Sequence, residues 1–236
     1  MDANVLSRRH LIGSAALATA AAGAATWLST VRSARAGEEG LPTSALATGA
    51  LAPLRYQEIS GFLSGEQLAL HHTKHYGGAH QALVGIEARL YGEKGEADRA
   101  ARRELGRAQS EKANSVLLHE LYFSGMSPQK QAPKDDIRAA LTKRFGTLDR
   151  WRQDLEACAL SSNGWAMLAH HPLNGRLYHV VSDAHDVGPV WLARPLLLID
   201  MYEHAFYVDY RSDKTAYVSA WFEHLDWAEV ERRWRA

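Results

Sequence analysis

The chain has 236 residues, 27 Lys+Arg against 27 Asp+Glu, a formal net charge of zero, and one cysteine, Cys158. That balance supplies no basic field for nucleic acid, and a single cysteine excludes an intrachain disulfide. The unusual component is histidine, twelve residues of it, four of them in HHTKHYGGAH at 71–80.

In chain order, residues 1–36 have the layout of an export signal. Ser7-Arg8-Arg9-His10 sets paired arginines before an Ala- and Gly-rich apolar stretch from Leu11 to Trp27, and Ala34-Arg35-Ala36 offers a small-x-small cleavage site. The arginine pair points to the twin-arginine route, with a periplasmic or secreted mature chain. The apolar stretch is short for a spanning helix, so no integral membrane contact is expected after the signal is removed. Cleavage after Ala36 would leave 23 basic against 26 acidic side chains. Residues 37–53 are rich in Gly, Ala, Pro and Thr, keep no sustained period, and read as a mobile linker.

A helix begins at Ser64-Gly65-Glu66-Gln67, a capping-box pattern, and runs through Leu68, Leu70, His71 and His75. Residues 87–112 are charged and helical in type. Val116–Phe123 forms a nearly all-apolar helix that carries His119. SGMSPQKQAPKDD (124–136) then breaks structure with Gly, Ser and Pro, separating 54–127 from 128–236.

In the second part, residues 136–161 read as two helices joined at Phe145-Gly146. GWAMLAHHPLNGRLYHVVSD (164–183) is two strand-like runs around an Asn-Gly hairpin signal. PLLLIDMY (195–202) is a third buried strand, and 216–235 is a final helix. Helices followed by strands framed by helices give an α+β fold: an N-terminal helical hairpin, then a C-terminal domain with a small antiparallel sheet and flanking helices.

His71 and His75 are four apart, as are Asp200 and His204, so a helical turn presents either pair on one side. A lone His119 is more often a hydrogen-bonded core residue than a ligand. Asp200, ending an apolar run, is harder to leave unpaired, because a buried charge needs a partner or a metal. Interior His/Asp sets are how helical proteins bind iron, manganese or zinc.

On these residues the chain resembles the iron/manganese superoxide dismutases. LSGEQLALHHTKH (63–75) resembles the family's first-helix segment, ANSVLLHELYF (113–123) its second, NGWAML (163–168) its Gly-Trp segment, and DMYEHAFYVDYR (200–211) its Asp-x-Trp-Glu-His signature. The resemblance runs from about Tyr56 to the C-terminus. It implies metal ligands His71, His119, Asp200 and His204, and one Fe or Mn ion per subunit cycling between +3 and +2 while superoxide becomes dioxygen and hydrogen peroxide. It also implies a homodimer. There Glu203 would reach the partner subunit's His204, and Tyr207 would reach the partner subunit's His75. Trp165 would wall the site. Four protein ligands argue against a zinc hydrolase, which keeps a position open.

Four departures follow from the same resemblance. Ala79 stands where the family keeps a tyrosine. On an ideal helix of about 100° per residue, His80 would lie on the opposite side from His71 unless Gly77-Gly78 distort the helix. Tyr202 and Met167 replace tryptophans. The outer residue that hydrogen-bonds the solvent ligand, usually glutamine, falls at Ser115 or at His185; His185 is preferred, with His179 a lesser rival. Ala79 motivates an alternative function, a metal-binding homologue with weak or no activity that acts as a binding or structural module.

Overall fold

The three strands follow from where the chain is apolar without a break. β1 (Trp165–His171) is buried along nearly its whole length, as a central strand covered on both faces must be. It pairs antiparallel with β2 (Arg176–Ser182) through the Asn174-Gly175 turn, where Gly175 takes φ 63°, and on its other side with β3 (Arg194–Asp200). The order is β2-β1-β3. The register slips between Leu168 and Ala169, opposite Pro195, a residue with no N–H for the ladder and tolerated on this edge strand. The slip leaves Trp165 facing Ser182 on one side and Asp200 on the other.

The computed structural model describes residues 44–236; the export signal read over 1–36, and residues 37–43 of the linker, lie outside the described residues. Helices α1 (Ala45–Thr48) and α2 (Gly65–Leu70) lead into a π-helical turn, His71–Tyr76, and then α3 (Gly77–Tyr91). The long α4 (Arg99–Ser124) packs back along α3 and against β3. α5 (Asp135–Phe145) and α6 (Leu148–Ser161) follow, and α6 covers β1 and β2. After β3 come a 3₁₀ turn (Glu203–Ala205), α7 (Tyr207–Tyr210), α8 (Lys214–Glu223) and α9 (Trp227–Arg235). The helical hairpin and the sheet share one apolar core, from Leu68 and Val116 through Leu168 and Leu198 to Trp221. The α+β expectation therefore holds. Among the described residues no helix is long and apolar enough to cross a membrane.

Two local expectations are corrected and one is refined. Residues 44–53 are not a mobile linker. Ala45 is buried, and its N–H donates to the Glu120 carboxylate at 2.8 Å. The Tyr76 hydroxyl donates to the same oxygen at 2.7 Å and accepts from Ala52 N–H at 2.9 Å. Glu120 is itself buried, and a buried carboxylate draws in donors. Residues 87–112 are helical in type as expected, in two pieces: the chain turns at Gly92–Gly95, where Gly95 takes φ 52°, and Asp98 caps a new start at Ala101 N–H. The final helix is broken at 224–226: Ser127 N–H donates to His224 O and Asp226 N–H to Gly125 O, a bridge that diverts the backbone from helical bonding.

Arg233 locks three layers together. It is buried, and its guanidinium donates to Leu196 O, Leu121 O, Ser124 Oγ and Glu229 Oε1, each at 2.9 Å. Removing one side of a buried charged network strands the rest, at a cost of about 3–5 kcal/mol. Arg233→Ala is expected to lower the melting temperature of the metal-free protein by about 10 °C, from roughly 2–4 °C per kcal/mol for a domain of this size. Calorimetry or circular dichroism melts measure it, and an unchanged melt would contradict the assignment.

Candidate metal centre

Four separate segments deliver one donor each. His71 opens the π turn, His119 lies on α4, Asp200 ends β3, and His204 sits in the 3₁₀ turn. One ligand atom from each lies within 4.8 Å of all the others. Asp200 Oδ2 is 3.1 Å from His71 Nε2, 3.4 Å from His204 Nε2 and 3.8 Å from His119 Nε2. All four atoms are buried and none has an aligned hydrogen-bond partner. The side chains of His71 and Asp200 are fully buried and that of His119 is 2 % exposed, whereas that of His204 is 22 % exposed.

A buried carboxylate facing three imidazole nitrogens, with no donor between them, is costly unless a cation sits there. Three nitrogens and one oxygen suit Fe, Mn or Zn better than the all-oxygen metals. Burial keeps the His71 and His119 imidazoles neutral, with a ring-nitrogen lone pair free for a metal. Burial pushes His119 down to about 3, with His71 adding and Asp200 opposing. Burial also lowers His71, against the pull of Asp200.

Surrounding groups fix each donor's orientation. His119 Nδ1–H donates to Ser115 O at 2.6 Å, which leaves Nε2 as the free lone pair. Asp200 Oδ1 accepts from Tyr202 N–H at 2.9 Å. The Asp200 carbonyl accepts from the Tyr217 hydroxyl at 2.9 Å, and Tyr217 is itself hydrogen-bonded to Tyr122 at 2.8 Å. Gln67, fully buried, donates to His204 O at 2.7 Å and accepts from Val208 N–H at 3.1 Å. Sequence reasoning read Gln67 only as part of a capping box, whereas its side chain goes to His204 and Val208, and it passed over Tyr217. Gln67 left a signal, since it lies four residues before His71 on the same helix. Tyr217 left none, because its work is done on a backbone carbonyl.

The π turn revises the reading of HHTKHYGGAH. Distortion falls on His71–Tyr76, before Gly77-Gly78 and not at them. π turns are rare and recur at functional sites. His75 is brought over His204, with ring centroids 3.7 Å apart and planes within 7°, and burial with the neighbouring imidazoles lowers it to about 4. His72 Nε2–H donates to Ala52 O at 2.8 Å, a supporting role. Ala79 is buried and offers only a methyl group.

Trp165 Nε1–H donates to His185 Nδ1 at 3.0 Å. A neutral His185 then carries its proton on Nε2, a donor. Its ring lies 6.1 Å from His119 and 5.3 Å from Tyr202. A Cβ at Gly164 would collide with the Ser182 carbonyl, so only glycine lets the strand bring Trp165 in here. Trp165 meets His119 edge-on at 5.3 Å, and Tyr202 stacks on His204 at 5.4 Å and 10°. The rival His179 is elsewhere, stacked on Phe145 at 4.4 Å. Ser115 acts through its carbonyl, and Met167 is buried in β1. Glu203, Tyr207 and His75 are exposed at the rim of the site.

Comparison with known proteins agrees with this geometry. A family model described as "Iron/manganese superoxide dismutases, C-terminal domain" matches residues 133–233. A superoxide dismutase [Mn] of Haloferax volcanii is 31% identical over 190 residues, covering 77% of this chain and 92% of that protein. A superoxide dismutase [Fe] of Aquifex aeolicus is 34% identical over 188 residues, covering 76% and 87%. A superoxide dismutase [Fe] of Methanothermobacter thermautotrophicus is 33% identical over 194 residues, covering 77% and 91%.

His119→Ala is expected to abolish retained metal, read by elemental analysis, while circular dichroism stays folded; a fully metallated variant would refute the ligand set. A second expectation concerns His179, whose imidazole burial pushes down to about 4, with Arg144 adding and Asp154 opposing. As pH falls from about 6.5 toward 4 the unfolded chain binds this proton first, so stability is lost in that window. The metal-free His179→Phe variant should lose less melting temperature between pH 7 and 4.5 than the unaltered metal-free protein.

Proposed function

The chain belongs to the iron/manganese superoxide dismutase family, and we propose that it is an exported homodimer disproportionating superoxide at His71, His119, Asp200 and His204. The observation that carries this reading is the meeting of four buried, unpartnered donor atoms within 4.8 Å. In the overall reaction two superoxide anions and two protons give one dioxygen and one hydrogen peroxide. An iron or manganese ion bound there supplies the one-electron exchange. The protein supplies the rest. Three neutral imidazoles and one carboxylate under-compensate a di- or trivalent cation, so the pocket keeps a positive field that draws a small anion.

His185 is the protein's hydrogen-bond donor beside the ligands. The Trp165 indole occupies Nδ1, so the proton available to the reacting centre is the one on Nε2. With Ala79 in place of a family tyrosine, no phenol stands at that position, and proton delivery falls to His185 and solvent. Trp165, Tyr202 and the stacked His75 crowd the approach and exclude larger molecules. Dimerisation is supported by Glu203, Tyr207 and His75, exposed beside the one ligand that is itself partly open. Export is supported by the Arg8-Arg9 signal layout.

Superoxide removal by the purified chain loaded with iron, and separately with manganese, tests the reading, together with sedimentation for the dimer and fractionation of the expressing cell for export. Activity above that of free metal is expected with at least one of the two ions. His185→Ala is expected to lower turnover by about 10-fold to 100-fold, the typical range for an outer partner of a metal site, without loss of metal. A metal-replete chain no more active than free metal would favour the binding-module alternative.

A further inference from the structure

The first turn of α2 forms only half of the capping box that its sequence announces. Ser64 Oγ accepts from Gln67 N–H at 3.1 Å. The Gln67 side chain does not return to Ser64 N–H, as Gln at the third helical position does in that motif. Asp209 of α7 takes the Ser64 N–H instead, with its Oδ2 2.7 Å away. The exchange frees the Gln67 amide, which is fully buried. It crosses to the ligand-bearing turn, donating to His204 O at 2.7 Å and accepting from Val208 N–H at 3.1 Å. Tyr210 closes the same seam, its hydroxyl donating to Phe62 O at 2.7 Å.

His204 O and Val208 N–H have the spacing at which an α-helix bonds its own backbone, N–H to the carbonyl four residues earlier. One side-chain amide therefore occupies both ends of a helical bond. The winding differs on either side of it. Ala205 N–H donates to Tyr202 O and Phe206 N–H to Glu203 O, in 3₁₀ fashion; Tyr210 N–H donates to Phe206 O and Arg211 N–H to Tyr207 O, in α fashion. Phe206, at φ −141° and ψ −14°, is the break between them. Without the amide, two backbone groups would lose their partners, and such groups are costly to leave unpaired. The nearest remedy is the direct 204–208 bond, which extends the α winding back into the turn. A 3₁₀ turn advances about 120° per residue and an α-helix about 100°. Rewinding therefore rotates His204 away from Asp200 Oδ2, which its Nε2 faces at 3.4 Å.

We propose that Gln67 is a positioning residue for the metal centre: its amide stands in for the 204–208 helical bond, keeps the 3₁₀ turn from rewinding, and so aims His204 at the ion. Gln67 lies one helical turn before His71. The segment that carries one ligand thus sets the angle of another from the opposite half of the chain. Asp209 contributes by taking the Ser64 N–H that would otherwise hold the Gln67 side chain at home. The inference rests on the reading of the four donors as a metal site and does not depend on dismutation.

The test compares the unaltered full chain with two variants. Gln67→Met fills the same space without the amide, and Tyr210→Phe cuts the seam while leaving both amide bonds in place. Manganese and iron affinities are measured by competition with a chelator, beside the electron paramagnetic resonance spectrum of the bound ion. Gln67→Met is expected to weaken metal binding by about 10-fold to 100-fold, the range for an outer partner of a metal ligand. Its resonance spectrum should change while its circular dichroism stays that of a folded chain. Tyr210→Phe is expected to match the unaltered chain in affinity and spectrum. Should Gln67→Met not fold, Gln67→Asn, one methylene too short to span both backbone groups, carries the same expectation. A folded Gln67 variant with unchanged affinity and spectrum would overturn the inference alone. Equal losses in Gln67→Met and Tyr210→Phe would also overturn it, because the seam and not the amide would then hold the ligand. An unaltered chain that binds neither ion would remove the metal reading and this inference with it.

Discussion

Asp200 is the constraint on which the rest depends. Its carboxylate is fully buried at the end of a strand and faces three imidazole nitrogens. Every layer of the fold contributes to holding that arrangement. The hairpin and the β1–β3 register bring Trp165 and Asp200 to the same end of the sheet. α4 carries His119 onto that end, and the Tyr122–Tyr217 pair fixes the Asp200 backbone from below. A misplaced strand by one residue would turn the carboxylate to the other face, so the site and the sheet register are one specification.

Much of this was legible in the residues. The Asn-Gly hairpin, the continuous apolar run of β3 and the helix pair joined at Phe145-Gly146 all fold as their local chemistry dictates. The four donors were legible because their residue types and their order in the chain are unusual together, although each is ordinary alone. Spacing favours His185 over His179, and in the structure His185 accepts the Trp165 indole bond with its ring 6.1 Å from that of His119, while His179 lies against Phe145.

What was not legible depended on contacts distant in sequence. Residues 44–53 look like a linker by composition, yet the buried Glu120 and Tyr76 give their backbone a place to bind. The break between α8 and α9 is made by a backbone bridge to Gly125–Ser127, which no local propensity encodes. The π turn is a case of geometry serving a site: no residue in HHTKHY forbids an ordinary helix, and the winding changes so that His71 can face Asp200 while His75 covers His204.

The stack over His204 governs more than orientation. Three ligands are sealed in the core and cannot swing without opening it. His204 alone lies near solvent, sandwiched between the His75 ring and the Tyr202 ring. In the single chain His204 is thus the ligand nearest solvent, held by two aromatic faces and by the Gln67 bond to its backbone. In the homodimer proposed above, the partner subunit's Glu203 would meet that ligand, so assembly and metal retention would be linked.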